Sequence, residues 1–573
     1  MTMRSAIFKF IGTDRGSAAL LAVAAFAVML PALINGIPMG HDLPHHYQCA
    51  MTFAESIVEG DPNPSWSLNR NHGFGGMETR LYPPASHFFL AVAYLAIGDW
   101  HFASWTVFFA LTLIGSLGVY LWARETLPPE HALVAGLIYT ILPYHLNQLY
   151  NTFFYAEFAG SSVLPYSFLF ISRVCRRGRA VDVAGLGAAL GLLVLTHLPM
   201  SVIASVCFVI YGLSLIDRRR FAEQPLKLAI GAVTGAAASA FFWTKVLAER
   251  ELMAKALVYE DLWLDYKLNF LLTIVQSYEG FSRDLYENGT YFYDLMLWYT
   301  FFMVVSAAII QFIALRNAGR FTNRGNWVIF LIAVFLAMPF SSFIWARLEL
   351  LQEVQFPWRW LAIVSVTAPI ITASAMPAAI ELARTKLRPL VLIAAGFAIA
   401  MAAFSVSQII RPAGYVERES VPAYMAKNQL DIGFTFWWPI TVRKEIFDNR
   451  ERVTATGREV AIDRWTPAER DITLGAGPAT SVRIGTFYHP NWRAEFNQTS
   501  VPVKSDEFGA ILLDIPAGES GKAVLTFHES AATVAGKWLA MFVWPALGLV
   551  LFGSLIGRRE LEQTQNGESL HSR

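Results

Sequence analysis

Charged residues are scarce in this chain. They make up 16% of its 573 residues, whereas hydrophobic residues make up 55%. Soluble domains carry about 25% charged residues. Because lipid-facing helices exclude charge, this deficit is typical of a protein that crosses a membrane several times. The formal net charge is only +1, so the composition does not indicate a nucleic-acid partner.

Cysteine is scarce as well. The three cysteines stand at positions 49, 175 and 207, and such an odd, scattered set indicates neither a disulfide framework nor the ligand spacing of a structural metal site. The sequence contains no phosphate-binding glycine loop, dinucleotide fingerprint, Ser-His-Asp pattern or haem motif. It also has no internal repeat and no low-complexity tract. A nucleotide-driven or haem enzyme is therefore not indicated.

Long apolar runs are what the sequence has in abundance. A membrane-spanning helix needs roughly 20 apolar residues. Thirteen runs qualify as candidates: 18–36, 84–98, 102–122, 132–146, 158–173, 181–196, 199–216, 225–243, 291–315, 327–343, 359–381, 388–408 and 534–556. The first of them follows basic residues and is interpreted as an uncleaved signal anchor.

Basic clusters predict which runs cross the membrane, because short cytoplasmic loops are rich in Lys and Arg. Five clusters are predicted on one side of the membrane: Arg173/Arg176/Arg177/Arg179, Arg218/Arg219/Arg220, Arg316/Arg320/Arg324, Arg384/Lys386/Arg388 and Arg558/Arg559. The amino-terminal residues Arg4, Lys9 and Arg15 should lie on the same side. This holds only if run 84–98 does not cross. That run is short, carries His87 and follows "YPP", so it is predicted to lie in the outer interface.

The resulting prediction is a mainly α protein with about twelve spans and both termini in the cytoplasm. Residues 1–408 form the transmembrane module, whose polar segments 37–101, 147–157, 244–290 and 344–358 lie outside. Residues 409–533 contain period-two stretches broken by turn residues, which predict a small extracytoplasmic β domain. Residues 534–573 supply the final span and a cytoplasmic tail.

The first outer segment opens with "GHDLPHHY" at 40–47. A carboxylate held near the bilayer surface can take a proton from a hydroxyl nucleophile, so Asp42 is a candidate general base. The alternative is a solvated loop acid or a helix N-cap. His41, Asp42 and His45 could also hold a divalent cation, since His41 and His45 lie four apart and would share one helix face. His72 or Glu157 would then supply a closing ligand.

Four more polar residues are predicted at the outer face. Arg80 precedes "YPP" and suits a phosphate, although ordinary interfacial anchoring explains it equally well. Glu157 in "YAEF" is an acid at the mouth of the bundle, which is costly unless the acid is used or paired with an arginine. His197 sits in the tight turn "THLP". Arg359 in "QFPWRWL" needs an anion, which is a lipid-linked phosphate, a lipid headgroup, Glu349 or Glu353.

These motifs carry a family resemblance. "GHDLPHHY", "GFGG…RLYPP", "YAEF", "THLP" and "QFPWRWL", followed by an outer β domain and a last span, resemble the bacterial membrane proteins labelled 6-pyruvoyl-tetrahydropterin synthase-related. Those proteins in turn resemble the GT-C superfamily of polytopic glycosyltransferases and its YfhO-like relatives. The resemblance covers nearly the whole chain. The pterin chemistry in the label does not fit a protein of twelve spans.

The resemblance implies a transferase that takes a sugar from a polyprenyl-phosphate donor at the outer face of the bacterial inner membrane. Its acceptor would be a lipid, a polysaccharide or a protein. Asp42 would act as the base, with Glu157 as the second acid of the site, and Arg80 and Arg359 would hold the donor phosphate. Residues expected to contact substrate are His41, His45, His46, Tyr82, His197 and Gln355. No cofactor is certain, and a divalent cation remains open.

Two other functions stay open at this point. A transporter or flippase of a lipid-linked glycan would carry charged residues deep in several spans, and the sequence does not show them. A catalytically idle scaffold for envelope assembly would tolerate the loss of Asp42. The aromatic stretch "VYEDLWLDY" at 258–266 is a candidate sugar-stacking segment, but aromatic residues at an interface are also typical of a membrane belt.

Overall fold

The fold is built mainly from helices. The computed structural model describes residues 12–253, 265–271, 304–310, 323–411, 413–416, 421–428, 430–518 and 520–571, together with the single residues 302 and 312. The helices in these ranges are Asp14–Asn35, Leu43–Val58, Glu78–Leu81, Ala85–Ile97, Trp100–Ala123, Pro129–Thr140, Pro143–Tyr150, Tyr155–Arg176, Ala180–Thr196, Leu198–Leu215, Glu223–Ala238, Ala240–Glu249, Arg324–Leu336, Ser342–Trp345, Glu349–Gln352, Leu361–Ser374, Met376–Leu382, Arg388–Ile410, Val421–Lys427 and Ala531–His571.

Several of these helices are long and apolar enough to cross a membrane. Seven qualify within the described ranges: Asp14–Asn35, Trp100–Ala123, Tyr155–Arg176, Leu198–Leu215, Pro357–Leu382, Arg388–Ile410 and Ala531–Ser554. Two bent pairs raise the number to nine if each pair is one span: Glu223–Ala238 with Ala240–Leu252, and Arg324–Leu336 with Pro339–Trp345. The protein is therefore a multi-pass membrane protein.

The predicted count of about twelve spans is not confirmed within the described ranges. Run 132–146 is split into helices Pro129–Thr140 and Pro143–Tyr150, because Leu142 precedes a proline and adopts an extended conformation. Run 181–196 forms a helix of 17 residues, which is short for a span. Most of run 291–315 lies outside the described residues. Run 84–98 forms the 13-residue helix Ala85–Ile97, which is too short to cross the bilayer.

The predicted β domain forms two antiparallel sheets. Its strands are β3 (Val453–Thr454), β4 (Val460–Trp465), β5 (Glu469–Leu474), β6 (Thr480–Phe487), β7 (Trp492–Phe496), β8 (Thr499–Val501), β9 (Val503–Ser505), β10 (Ala510–Ile515) and β11 (Gly521–Phe527). One sheet has the order β3-β6-β10-β9 and the other β4-β5-β11-β7-β8. Alternate side chains of both sheets enter a shared core, as the period-two pattern predicts.

The described residues between helix Arg388–Ile410 and the sandwich contribute one short strand and no strand of the β domain. We call residues 413–449 the connector. It begins with β2 (Gly414–Val416), which pairs antiparallel with β1 (Ile37–Met39) at the exit of the first span. The connector continues through the short helix Val421–Lys427 and 3-10 turns. The strands of the β domain therefore occupy 453–527, a narrower range than the predicted 409–533.

The first outer segment is packed against the β domain. Trp66, Phe74, Met77 and Leu81 belong to the same buried apolar cluster as the sandwich strands. Phe74 packs on Phe487 of β6 with the ring centroids 5.8 Å apart. The segment around Asp42 is thus bounded by the helix bundle on one side and by the connector and sandwich on the other.

Candidate active site

Asp42 lies where the first outer segment turns into helix Leu43–Val58. It occupies the N-cap position, but its side chain accepts no capping hydrogen bond. Its carboxylate instead accepts from His41 Nδ1 at 2.7 Å, and its side chain is 24% exposed. This hydrogen bond raises the pKa of His41 above its usual value. Asp42 is therefore a partly shielded carboxylate that a hydroxyl group could reach.

Gly40 fixes the position of Asp42. A Cβ atom at Gly40 would lie 2.5 Å from the Thr152 carbonyl carbon and 2.6 Å from Phe153 N. The Asp42 N–H donates to Thr152 O at 3.3 Å across the same contact. Only glycine permits so close an approach of two backbones. The glycine of "GHD" thus seats the aspartate against the turn that precedes Glu157.

Glu157 lies deep at the outer end of helix Tyr155–Arg176 and is 2% exposed. One carboxylate oxygen accepts from the Tyr144 hydroxyl. The other accepts from Arg359 Nε at 3.2 Å and lies 3.9 Å from His197 Nε2. Glu157 and Arg359 therefore pair with each other. Sequence reasoning placed both residues at the outer face and gave an arginine partner for Glu157 as an alternative, but it did not identify Arg359 as that partner and it missed Tyr144.

The Arg359 side chain does not use all of its N–H donors within the described part of the chain. Its Nη1 donates to Val354 O at 2.6 Å, and its guanidinium carbon lies 4.7 Å from the Phe356 ring centroid. Within the described part of the chain, Nη2 has no hydrogen-bond partner. Gln355 lies four residues earlier with φ +67°, in the left-handed region, so it shapes the turn that carries Arg359. An arginine with a free edge at the outer face can bind an oxyanion.

Tyr82 connects these two groups. It is half-buried and follows Arg80 and Leu81 at the end of the short helix Glu78–Leu81. Burial raises the pKa of Tyr82, the charge of Asp42 raises it further, and the charge of Arg359 opposes them. The Tyr82 hydroxyl is thus neutral and sits within electrostatic reach of both Asp42 and Arg359.

Four buried histidines line the same region. His46 Nδ1 is 2.9 Å from His87 Nε2, and the His45 ring lies 4.7 Å from the Tyr82 ring. Burial lowers the pKa of His45 and of His46 well below the usual value, so both rings are neutral. His197 Nδ1 accepts from Met200 N at 3.1 Å and caps helix Leu198–Leu215. This contact assigns the ring proton to Nε2, which faces Glu157.

The side chains considered as possible metal ligands do not converge within the described part of the chain. His41 and Asp42 contact each other, while His45 is buried against Tyr82 and aromatic rings. His72 pairs with Asp431 at 2.7 Å instead of closing a metal site. Among the described residues, no group of three or more His, Cys, Asp or Glu side chains is arranged to hold a metal ion.

Arg80 is a structural clamp, and this corrects its predicted role as a phosphate ligand. It is 1% exposed and donates five hydrogen bonds, to both oxygens of Glu249, both oxygens of Glu529 and Ser65 O. An arginine has five N–H donors, so none is left for a phosphate. Burial alone would raise the pKa of Glu529, but Arg80 and two lysines lower it to about 2.

The predicted sugar-stacking stretch 258–266 falls mainly outside the described residues. Of its aromatic residues the structure describes Tyr266, whose ring stacks on Trp345 with centroids 5.5 Å apart. Of the predicted site residues, His41 contacts Asp42, Glu157 contacts Arg359, and the charges of Asp42, Arg359 and Glu157 act on Tyr82.

A family model matches part of the chain. Residues 82–243 match the dolichyl-phosphate-mannose-protein mannosyltransferase family. This range includes Tyr82, Glu157 and His197, but it ends before Arg359 and begins after Asp42. No curated protein sequence matches the chain.

Solved structures show weaker likeness. ArnT from Cupriavidus metallidurans bound to undecaprenyl phosphate is 13% identical, with 73% of this chain and 74% of that chain covered and a TM-score of 0.39. The mycobacterial arabinofuranosyltransferase AftD is 15% identical over 68% of this chain and 26% of its own, with a TM-score of 0.44. The archaeal oligosaccharyltransferase AglB from Archaeoglobus fulgidus is 13% identical over 75% of this chain and 56% of its own, with a TM-score of 0.40.

This chain therefore spans about a quarter of AftD and about half of AglB. Over residues 82–243 it is similar to dolichyl-phosphate-mannose-protein mannosyltransferases.

Proposed function

We propose that this protein is a glycosyltransferase of the bacterial inner membrane, which moves a sugar from a polyprenyl-phosphate donor to an envelope acceptor at the outer face. One observation carries the proposal. A partly exposed carboxylate, Asp42, and a buried carboxylate–arginine pair, Glu157 and Arg359, both lie within electrostatic reach of Tyr82. The family match supports the donor class, since that family is described by a sugar carried on a polyprenyl phosphate.

The reaction is a direct displacement. Asp42 takes the proton of the acceptor hydroxyl as its oxygen forms a bond to the anomeric carbon of the donor sugar. The bond from that carbon to the phosphate oxygen breaks, and the phosphate leaves with the electron pair. His41 holds the Asp42 carboxylate in place through its 2.7 Å hydrogen bond.

Arg359 stabilises the leaving phosphate. The Arg359 guanidinium is the cation proposed for this role, and its Nη2 has no hydrogen-bond partner among the described residues. Charge that develops on the phosphate during bond breaking is stabilised most by donors that are already oriented. Glu157 orients the guanidinium through Nε, and Tyr144 in turn holds Glu157. Glu157 is thus assigned to positioning rather than to proton transfer.

The test of this function is a deletion strain whose envelope glycans are analysed by mass spectrometry. We expect one component to lose a hexose- or pentose-sized unit, and the wild-type gene on a plasmid to restore it. An unchanged glycan profile in the deletion strain contradicts the transferase. That result would favour a non-catalytic scaffold function in envelope assembly over sugar transfer.

Replacing Arg359 with lysine is expected to weaken binding of undecaprenyl phosphate by about tenfold or more, because lysine keeps the charge but loses the planar fork that grips phosphate. Native mass spectrometry of the purified protein with added undecaprenyl phosphate measures the bound fraction. Arg347→Lys is the matched control, since Arg347 is exposed in the same outer segment and donates to Phe343 O. Equal binding by both variants would remove Arg359 from the phosphate site.

Replacing Gly40 with alanine is expected to reduce the restored glycan unit by about 100-fold, because a displacement near 1 Å at a reacting group costs that much. The new Cβ meets backbone atoms of residues 152 and 153, so the segment that carries Asp42 must shift. Gly396→Ala is the control, since no atom lies within 4 Å of a Cβ there. Full glycan restoration by Gly40→Ala at wild-type protein level would show that the position of Asp42 does not matter.

A further inference from the structure

Two aromatic residues of the connector pack on the histidines that flank Asp42 in the sequence. The Phe434 ring stacks on His41 with centroids 5.7 Å apart and an interplanar angle of 19°. The Trp437 ring stacks on His45 at 6.2 Å and meets Tyr82 edge-on at 5.8 Å. His41, Tyr82 and Asp42 belong to the proposed site, so these two rings form one of its walls. We call Phe434 and Trp437 the aromatic wall.

The wall is held rigidly on the first outer segment. Asn71 Oδ1 accepts from Gly433 N at 2.9 Å and from Trp438 Nε1 at 3.1 Å. Gly433 lies so close to Glu78 that a Cβ would be 2.4 Å from the Glu78 carboxylate. The two residues on either side of the wall are thus tied to one asparagine, which fixes where the rings stand.

Neighbouring tryptophans in the connector differ in exposure. Trp438 is 3% exposed and packs in the core of the β domain. Phe434 and Trp437 are only half-buried. If the stretch "FTFWW" served packing alone, Trp437 would be buried as Trp438 is. A half-buried aromatic ring that packs on a histidine three residues from Asp42 suits the apolar wall of a ligand site.

The chemistry around the wall favours a sugar over a lipid chain. A saccharide ring has one face of C–H groups, which suits the electron-rich face of an aromatic ring, and an edge of hydroxyl groups. Here the rings are flanked by polar groups that suit the hydroxyl edge: His41, whose side chain is 55% exposed, and Asp42. A prenyl chain would gain nothing from such neighbours.

We propose that Phe434 and Trp437 bind a saccharide ring by stacking, and that they hold it against Asp42. The proposal rests on the proposed transferase function, for which the wall supplies the sugar subsite. It assigns sugar recognition to the connector, 392 residues after Asp42 in the case of Phe434.

The experiment measures sugar binding without requiring transfer. Full-length protein in nanodiscs is mixed with a panel of methyl hexopyranosides and methyl pentofuranosides, and saturation-transfer difference NMR records which ring protons contact the protein. We expect at least one glycoside to show contact through its C–H face. Trp437→Ala should reduce that signal by about fivefold or more, whereas Trp437→Phe should retain most of it because the aromatic face remains.

Two further variants keep the outcome interpretable. Trp465→Ala on β4 removes a half-buried tryptophan of the β domain and should leave the signal unchanged. Phe434→Leu keeps apolar bulk but removes the second ring, and it should also weaken the signal. No signal with any glycoside, or an equal signal from Trp437→Ala and wild type, overturns the proposal. A signal that depends on Trp437 supports it even if the deletion strain shows no glycan change, so the two proposals fail separately.

Discussion

Asparagine in place of Asp42 is expected to lower sugar transfer by about 10²–10⁴-fold, because the amide has the shape of the carboxylate but cannot take the proton of the acceptor hydroxyl. His41 can still donate to the amide oxygen, so the local structure should persist. The measurement is the envelope glycan profile of a deletion strain that expresses the variant at wild-type level. The hexose- or pentose-sized unit should be missing, as in the deletion itself.

Asp99→Asn is the matched control for this substitution. Asp99 is an exposed acid of the same outer segment, and its side chain caps helix Trp100–Ala123 by accepting from Phe102 N at 2.8 Å. Asparagine caps helices as well as aspartate does, so this variant should restore the full profile. If Asp42→Asn restores it too, Asp42 is not the base. A scaffold or transport function then becomes the better account.

The second large effect is expected on stability. Arg80→Leu should destabilise the fold by about 3–5 kcal/mol, because it leaves Glu249 and Glu529 buried without the cation that pairs them. In the native protein Arg80 Nη2 lies 2.6 Å from Glu249 and 2.7 Å from Glu529. Lys245 and Lys537 stand 3.7 Å from Glu529 and compensate only part of the loss. The thermal midpoint of the purified protein in detergent measures the change.

An exposed ion pair gives the comparison. Arg464 pairs with Glu469 at 3.0 Å, and the Arg464 side chain is 58% exposed. Arg464→Leu should cost about 0–1 kcal/mol, since exposed pairs contribute little. Were Arg80 a phosphate ligand, Arg80→Leu would instead keep the thermal midpoint and lose affinity for undecaprenyl phosphate. A drop in the midpoint far beyond that of Arg464→Leu distinguishes the clamp from the ligand.

Much of the architecture can be predicted from local patterns. Apolar runs predict most of the spans, and the alternation in "KAVLTFH" predicts β11 within a β domain. The basic clusters predict the side of the membrane on which each loop lies, and Asp42 becomes a candidate because it is the first acid after the first span. Each of these inferences uses residues within about 20 positions of one another, because hydrophobic periodicity and charge patterns can be recognised within so short a window.

The contacts that define the site are not local. Glu157 and Arg359 are 202 residues apart, and Arg80 and Glu529 are 449 apart. From the sequence, each arginine at the outer face is an equal candidate for a phosphate. Only the fold distinguishes them, since it saturates Arg80 with two carboxylates and leaves one edge of Arg359 open. The break in run 132–146 depends on Pro143, yet the role of Tyr144 after it depends on where Glu157 lies.

The clamp also bears on how the protein is made. Arg80 leaves the ribosome long before Glu529, and at 5–20 residues per second the interval is roughly 20–90 s. During that time the segment that carries Arg80 lacks the Glu529 carboxylate that pairs with it. A chain that terminates early therefore carries Asp42 on an unsupported segment that proteases can cut. The ion pair between Arg80 and Glu529 can form only after β11 has been synthesised, so only chains that extend past β11 acquire an assembled site.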